Sequence, residues 1–294
     1  INPSTLRIFT NPKGGRPLSD NIFQPIPKNL IEIAIEVAGT DDGILNDNDK
    51  IIFYGRGPRG FDKTDDGSTK FIRNPYTDLN VYWLNVPFNP DVRGLRIKTV
   101  NENLVEPVTI NYGVAYAHSE NEEYNPFKSG LLWVGPGITK DQTLSVPIQL
   151  HHPRDDINTK ANISLFGGTS KESNGYTAHI ATIQQRSQTD SILVRESWSG
   201  ITSRNFSLNL DEKILNHGTN FFILKNSTSD DLSKVFIDWI TVEYASELIW
   251  EGSQFDYWSP MNLNLVRFMI SKVNSDIKVW DITDTNSPIS QAVE

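Results

Sequence analysis

The chain contains no cysteine. Because the thiolate is both a nucleophile and a metal ligand, this absence excludes thiol catalysis, disulfide bonds and cysteine-bound zinc within these residues. No apolar run reaches the roughly 18 residues that a membrane-spanning helix needs, so no transmembrane segment is expected. The net charge of −9, with no cluster of basic residues, argues against a nucleic-acid partner, because phosphates are bound by grouped Lys and Arg side chains.

Helical periodicity is nearly absent, whereas strand-type alternation is common. In residues 30–37, for example, apolar side chains fall on alternate positions, which predicts a half-buried strand. Such segments recur every 10–15 residues or so and are separated by turn-forming Asp, Asn, Gly and Pro clusters, without long gaps for crossover helices. This pattern predicts an all-β protein that contains a β-sandwich.

The polar stretch at residues 119–129 separates two groups of predicted strands. We therefore expect two β-domains, residues 1–128 and residues 129–294, of which the second contains a jelly-roll-like sandwich. Near the C-terminus, residues 263–273 and 277–282 alternate around a turn rich in Asn and Asp, which predicts an antiparallel hairpin. Because an isolated hairpin is marginal in water, this one must pack on another surface.

The acidic loop at residues 42–49 resembles the second half of an EF-hand. Asp42 and Gly43 match positions five and six of that motif and Asp49 matches position twelve, while Asp47 adds another carboxylate. The first half of the ligand set is missing, since Ala38 stands where a carboxylate belongs. A structural calcium site and a solvated turn between strands are both open interpretations of this loop.

Asp238 lies within residues 236–244, the strongest predicted strand of the chain. Simple alternation places it on the same face as Phe236, Ile240 and Val242. A buried carboxylate must be hydrogen-bonded, paired or bound to a metal, so we expect either a structural hydrogen bond or a calcium ligand here. No other cofactor site is predicted.

Three further patterns favour structural interpretations. Residues 55–60 match G-x-G-x-x-G, but no helix is predicted to follow, so a turn is expected rather than a nucleotide site. His151 and His152 are adjacent, and neighbours on a strand point to opposite faces, so a polar strand end is favoured over zinc. The seven tryptophans are expected mainly in the core, although an exposed row of them would suit sugar binding.

Five segments, in order, resemble the region that precedes the catalytic domain of gingipain-type cysteine peptidases, and the similarity is greatest to the type IX secretion sortase family. They match D-x-I-x-F-Y-G-x-G-P, N-x-Y-(T/S)-D-x-x-x-Y-(W/F)-L, N-x-x-x-S-G-x-x-W-x-G, h-D-(Y/W)-h-x-h-x-Y (h is apolar) and V-W-D-(V/I)-T-(D/N). These are residues 49–58, 74–84, 125–135, 237–244 and 279–284.

The resemblance implies a non-catalytic accessory region of a secreted or outer-surface bacterial peptidase. The catalytic Cys and His of that family lie in a downstream α/β domain, so no catalytic residue is assigned to this chain, which is not expected to be an enzyme. The implied partners are that peptidase domain and secretion-machinery proteins. The predicted C-terminal hairpin would lead toward the peptidase domain. Two alternatives stay open: a carbohydrate-binding module of jelly-roll type and a self-contained hydrolase on a β-sandwich.

Overall fold

A computed structural model of the chain describes residues 1–17, 25, 27–64, 66–100, 106–128, 130, 132–169, 179–185, 192–210, 215–260, 265–274 and 276–293. The fold is all-β, as predicted: the regular elements of these residues are strands and one short 3-10 turn at Pro3–Thr5. The chain folds into two compact units. Unit 1 comprises Ile1–Val105 and Asn274–Glu294, and unit 2 comprises Glu106–Val273.

The described strands are numbered along the chain. They are β1 (Arg7–Thr10), β2 (Ile31–Ile33), β3 (Glu36–Ala38), β4 (Lys50–Ile52), β5 (Arg59–Lys63), β6 (Thr69–Arg73), β7 (Tyr82–Asn85), β8 (Lys98–Val100), β9 (Val108–Ile110), β10 (Tyr112–Glu120), β11 (Gly137–Thr139), β12 (Thr143–Leu150), β13 (Thr159–Gly167), β14 (His179–Gln185), β15 (Ile192–Trp198), β16 (Ser203–Leu210), β17 (Gly218–Asn226), β18 (Lys234–Glu247), β19 (Val266–Phe268), β20 (Val279–Asp281) and β21 (Ile289–Gln291).

Unit 2 is the predicted jelly roll. One sheet has the order β10-β18-β13-β16, with β11 pairing on β18, and the other has the order β12-β17-β14-β15. From β12 to β18 the chain passes back and forth between the two sheets, which is the double Greek-key path of a jelly roll. All ladders within these two sheets are antiparallel.

The core of unit 2 follows directly from alternation in its strands. In β12 the side chains of Val146, Ile148 and Leu150 are buried while the residues between them are exposed. β17 lies beside β12 in the same sheet and buries Phe222 and Leu224 on the same inward face. Burying each such side chain stabilises the fold by roughly 1.5–3 kcal/mol, so this face supplies much of the apolar driving force of the unit.

A β-bulge interrupts β18 and changes which of its residues face the core. Ser164 of β13 pairs with Trp239 and the next residue, Leu165, pairs with Ile237, so Asp238 is the extra residue. Ile237 faces the core before the bulge, and alternation resumes after it. The predicted single face was therefore wrong for two residues: Phe236 belongs to a separate apolar cluster, and Asp238 lies beside Ser164.

Unit 1 is built from small sheets. Two three-stranded sheets have the orders β2-β1-β7 and β20-β21-β8, and β3-β4 and β5-β6 form two further antiparallel pairs. Its described core cluster consists of Leu6, Ile8, Ile33 and Ile35. The single strand predicted over residues 30–37 is split into β2 and β3, because Ala34 N donates instead to Asn286 O at 2.8 Å.

The predicted domain boundaries at 128 and 129 differ from the observed division. The chain leaves unit 1 at Val105, because β10 pairs with β18 along its whole length and thereby belongs to the sandwich. The chain returns to unit 1 at Asn274, because β21 pairs in parallel with β8. Residue 129, where the second domain was predicted to begin, lies outside the described residues.

The predicted C-terminal hairpin was wrong. β19 pairs in parallel with β9, whereas β20 pairs antiparallel with β21. The two segments thus have different partners and belong to different units, although each does contain a strand. Residues 263, 264 and 275 of this prediction lie outside the described part of the chain. Within that part, no helix has the length and apolar character needed to cross a membrane.

Candidate functional site

The acidic loop at residues 42–49 is held by its own hydrogen bonds. Asp42 Oδ1 accepts from Ile44 N and its Oδ2 accepts from Asn46 Nδ2, both at 2.9 Å. These bonds favour the ionised carboxylate and lower the pKa of Asp42. Asp49 Oδ2 accepts from Asn46 N at 2.6 Å, and Asp47 is exposed. The loop is a self-capped turn in unit 1, and its calcium site stays a prediction.

Asp238 lies at the bulge of β18 in unit 2, far along the sequence from the acidic loop. Ser164 Oγ donates to Asp238 Oδ2 at 2.8 Å, which is the structural hydrogen bond expected from the sequence. Burial raises the pKa of Asp238, and the charges of Glu120 and Glu122 act in the same direction, outweighing the Ser164 bond and His118. A cation at this carboxylate would relieve that repulsion, so calcium here also stays a prediction.

The outward face of the β10-β18 ladder carries a polar strip beside Asp238. His118 Nδ1 lies 2.8 Å from Thr241 Oγ1, and its Nε2 lies 3.2 Å from Glu120 Oε2. The His118 ring also stacks on Trp239, with 6.2 Å between centroids. Because both ring nitrogens have close polar partners, His118 is held in place as part of the sheet surface.

The Gly-rich stretch at residues 55–60 is a turn, as expected, and leads into strand β5 rather than into a helix. Its carbonyl groups are bound from three directions: Arg16 Nη1 donates to Gly57 O at 2.7 Å, while Asn80 Nδ2 and Tyr82 Oη donate to Arg56 O at 3.0 and 2.9 Å. Two of the segments that carry the family resemblance therefore hold each other in unit 1.

A basic depression lies beside this turn. It encloses about 360 Å³ and is lined by residues that include Lys13, Arg16 and Arg56. Asp62 bridges the two guanidinium groups, with distances of 3.0 Å to Arg16 Nε and 2.5 Å to Arg56 Nη2. The Asp62 carboxylate neutralises much of the charge of Arg16 and Arg56. The side chains that line the depression therefore form an ion-pair network within unit 1.

The tryptophans divide between core and surface. Trp198 is buried in the sandwich core, and Trp258 packs edge-on against Tyr116 with centroids 4.9 Å apart. Trp83 and Trp133 are 45% and 42% exposed and belong to different units. Tyr257 and Trp258, the pair of most interest for sugar stacking, are half-buried. All seven tryptophans lie within the described residues, and Trp198 alone of them is buried, so the expectation that they lie mainly in the core was wrong.

One convergence of ligand-type side chains was missed by the sequence argument. Among the described residues, His151, His217 and Glu251 place their ligand atoms within 4.8 Å of one another. His152 lies beside them, with Nε2 2.9 Å from Glu251 Oε1. Strand alternation does not apply here, since His152 follows the end of β12 and has a φ of +40°. A cluster of His residues after a strand was the available signal.

Unit 1 also carries a run of exposed apolar side chains on and around strand β7, here called the apolar edge. Strand β7 ends the order β2-β1-β7, so within the described residues its outer side has no ladder partner. Phe88, Tyr76 and Leu79 are 107%, 89% and 76% exposed. The apolar edge comprises these and their exposed apolar neighbours in sequence: Tyr76, Leu79, Val81, Trp83, Leu84, Val86 and Phe88. An unpaired strand edge with exposed apolar side chains is typical of an interaction surface.

Fold and surface together define a class: an all-β protein that joins a small multi-sheet unit to a jelly roll. No protein-family model and no curated protein sequence matches the chain. Among solved structures, the fold is similar to that in the crystal structure of dimeric latent PorU from Porphyromonas gingivalis, with a TM-score of 0.74 and 17% identity. The match covers 99% of this chain and 27% of PorU, so this chain spans about a quarter of that structure's length.

Two carbohydrate-binding modules give weaker matches. One is the CBM36-1 domain of a multidomain xylanase from the hindgut metagenome of Trinervitermes trinervoides, with a TM-score of 0.27, 7% identity, and coverage of 48% of this chain and 99% of that domain. The other is a CBM36 module in complex with calcium and xylotriose, with a TM-score of 0.25, 14% identity, and coverage of 43% and 97%. Scores this low carry no argument about this chain.

Proposed function

We propose that this chain is a non-catalytic accessory region of a secreted or surface-exposed bacterial peptidase related to type IX secretion. In this role it supports or positions a peptidase domain of the same gene product. The observation that carries the proposal is the fold: the similarity to the structure of dimeric latent PorU extends over 99% of the chain with a TM-score of 0.74. The five ordered segments that resemble gingipain-type peptidases support the same assignment independently.

The positions of the shared segments in the fold agree with a structural role. Residues 49–58 and 74–84 bind each other through Asn80 and Tyr82. In unit 2, Tyr244 Oη accepts from His151 N at 3.0 Å, and Gly135 N donates to Ile237 O at 2.7 Å. Such contacts hold backbone segments together, and none of them prepares a nucleophile.

The chain has no thiol nucleophile, because it contains no cysteine. We expect the purified chain to cleave none of the reporter peptides that carry Arg, Lys or another residue at the scissile position. Robust cleavage that a single substitution in this chain abolishes would contradict the accessory role and favour the hydrolase alternative.

The apolar edge is the surface that we assign to docking of the peptidase domain. Large apolar side chains such as Trp83 and Leu84 lose unfavourable water contact when a partner covers them, and β7 can also offer backbone groups at its outer side. The occupant we propose is the α/β peptidase domain that the gingipain-type resemblance implies for the same gene product, and the match to only about a quarter of PorU is consistent with a larger protein.

The docking proposal is tested by mixing the purified chain with the separately produced peptidase domain of its gene. We expect binding by titration calorimetry, and we expect Leu84→Glu to weaken it at least tenfold. The matched control is Leu232→Glu, which places the same charge at a 66% exposed leucine of unit 2 and should leave binding unchanged. A gene without such a downstream domain, or equal loss in both variants, would overturn the proposal.

The predicted calcium sites are tested separately. A cation that binds only the folded state raises the unfolding temperature, so a chelator should lower it and added calcium should restore it. Asp238→Ala and Asp42→Ala distinguish the two locations. An unchanged unfolding temperature on chelation in the parent chain would remove both sites from consideration. Export is tested by protease treatment of intact cells, which should degrade a surface-exposed chain.

A further inference from the structure

We propose that His151, His217 and Glu251 form a binding site for a divalent transition-metal ion of the zinc type. The three residues come from the ends of three strands: His151 follows β12, His217 precedes β17, and Glu251 follows β18. Leu150 pairs with Gly218, so the first two histidines are necessarily neighbours at one end of the sheet. The site belongs entirely to unit 2 and is independent of the proposed accessory function.

The backbone around the site is fixed by hydrogen bonds that cross between the two sheets. Ser246 Oγ donates to His151 O at 2.6 Å, and Glu247 N donates to His152 O at 2.9 Å. His151 N itself donates to Tyr244 Oη at 3.0 Å. The segment after β12 is therefore anchored on β18 before any metal binds, which reduces the entropy lost when ligands are ordered.

The spacing of the ligand atoms suits a transition metal. Glu251 Oε2 lies 3.5 Å from His151 Nδ1, and Glu251 Oε1 lies 3.6 Å from His217 Nε2. Zinc bonds to nitrogen and oxygen are about 2.0–2.2 Å long, so ligand atoms around tetrahedral zinc are roughly 3.3–3.5 Å apart. Each imidazole has nearly this separation from a different carboxylate oxygen, and one ligand atom of each residue lies within 4.8 Å of the other two, so small side-chain rotations bring the three to tetrahedral spacing.

His152 positions the ligands without being one of them. Its Nε2 is 2.9 Å from Glu251 Oε1, and its ring stacks on His217 with centroids 4.0 Å apart and planes 19° apart. It adopts a φ of +40°, a left-handed conformation that is strained for a residue with a side chain. That conformation turns the His152 ring toward Glu251, where it orients the carboxylate as outer-sphere groups do in metal sites.

The donor set selects the class of metal. Two imidazole nitrogens and one carboxylate suit zinc and neighbouring transition metals, whereas calcium takes oxygen ligands almost exclusively. Three protein ligands leave a position open to water, which agrees with the 62% and 42% exposure of the His151 and Glu251 side chains. The site is therefore chemically distinct from the calcium sites predicted at Asp238 and at residues 42–49.

One contact limits the affinity. His217 Nδ1 accepts from His152 N at 3.2 Å, so the neutral ring carries its proton on Nε2, which faces Glu251. A metal at Nε2 requires the single ring proton to move to Nδ1, so the contact with the His152 amide must open. We therefore expect micromolar binding rather than the tighter binding of closed structural zinc sites.

The test uses the whole chain without a polyhistidine tag. Titration with zinc should give one ion per chain with micromolar affinity, and cobalt(II) should give a visible d–d absorption when bound. His217→Gln and Glu251→Gln should each weaken binding at least tenfold. His152→Ala should weaken it less, because His152 acts only through Glu251. Calcium should not compete with zinc at this site.

The matched control is His118→Gln, which removes a histidine from the polar strip of β10 and should leave zinc affinity unchanged. Circular dichroism of each variant establishes that it is folded, and Glu251 is exposed enough for its substitution to be tolerated. Absence of zinc binding to the parent chain would overturn the proposal. Binding that survives in the His151→Gln/His217→Gln double variant, or that is lost equally in His118→Gln, would also overturn it.

Discussion

The two units obtain their stability in different ways. Unit 2 closes two sheets over a continuous apolar core that extends from Ile138 in β11 to Tyr244 in β18. Unit 1 has a small described core around Leu6 and Ile35, and much of the rest is ion pairs, side-chain contacts to backbone carbonyls, and the exposed apolar edge. A sandwich can bury its apolar surface within itself, whereas the smaller sheets of unit 1 leave apolar side chains exposed.

The largest loss of stability is expected from a cavity in the sandwich core of unit 2. Phe222 is fully buried in the core of unit 2, so Phe222→Ala should lower the free energy of unfolding by about 3–5 kcal/mol. Denaturant unfolding followed by tryptophan fluorescence measures this loss. The control is Phe88→Ala, which removes a fully exposed ring and should change the free energy little. Comparable losses in both variants would contradict the assigned core.

A cavity in unit 1 should have a smaller and separate effect. Ile35 is fully buried in the small core, and Ile35→Ala should destabilise unit 1 by about 2–3 kcal/mol, at the lower end for such changes. If the units unfold separately, this variant shifts one transition and Phe222→Ala shifts the other. Ile44→Ala, at a 54% exposed isoleucine of the same unit, is the control. A single transition that both core variants shift equally would show that the units unfold together.

Acid should weaken unit 1 through Asp62. Burial opposes ionisation of this carboxylate, but hydrogen bonds and charges from Arg16 and Arg56 outweigh it and lower the pKa of Asp62. A lowered native pKa contributes stability that is present above the unfolded pKa of about 3.9 and is lost as pH falls through the native pKa. Asp62→Asn should cost about 1–2 kcal/mol at neutral pH and flatten the acid dependence. An unchanged slope below about pH 4 would contradict this linkage.

Asp238 in unit 2 should respond to pH in the opposite direction. Burial, with repulsion from Glu120 and Glu122, raises its pKa, so the associated stability is complete below the unfolded pKa and is lost as pH rises through the native pKa. Asp238→Asn should therefore stabilise unit 2 at neutral pH, by on the order of 1 kcal/mol, and change little near pH 4. Thermal unfolding at the two pH values measures this. A destabilised variant at neutral pH, with a loss that grows when calcium is added, would instead support metal binding.

Local alternation explains why the strands were predictable. In β12 and β17, residues that favour burial alternate with residues that favour exposure along the sequence, and the structure buries the expected faces. Strand partners are not local. β19 pairs with β9, which lies far earlier in the sequence, and β20 pairs with the next strand, β21, so the hairpin expected between residues 263–273 and 277–282 did not form.

The candidate sites were also predictable only where they depend on local sequence and not on strand pairing. The Ser164 bond to Asp238 was foreseeable, because a carboxylate in an apolar strand needs a partner, but the bulge that moves Asp238 away from the core depends on register with β13. The cluster of His151, His217 and Glu251 forms only because Leu150 pairs with Gly218. No spacing between these residues in the sequence predicts that pairing, which was therefore missed.

The pairing of β21 with β8 has a consequence for how the protein is made. The ribosome delivers residues 1–105 first, yet the sheet that contains β8 cannot be completed until β21 emerges, after all of unit 2. Unit 2 is continuous in sequence and can fold as soon as β18 is available. Until β21 is made, β8 lacks its pairing with that strand. Nascent chains stalled before residue 289 should therefore carry a protease-resistant jelly roll behind a protease-sensitive N-terminal segment.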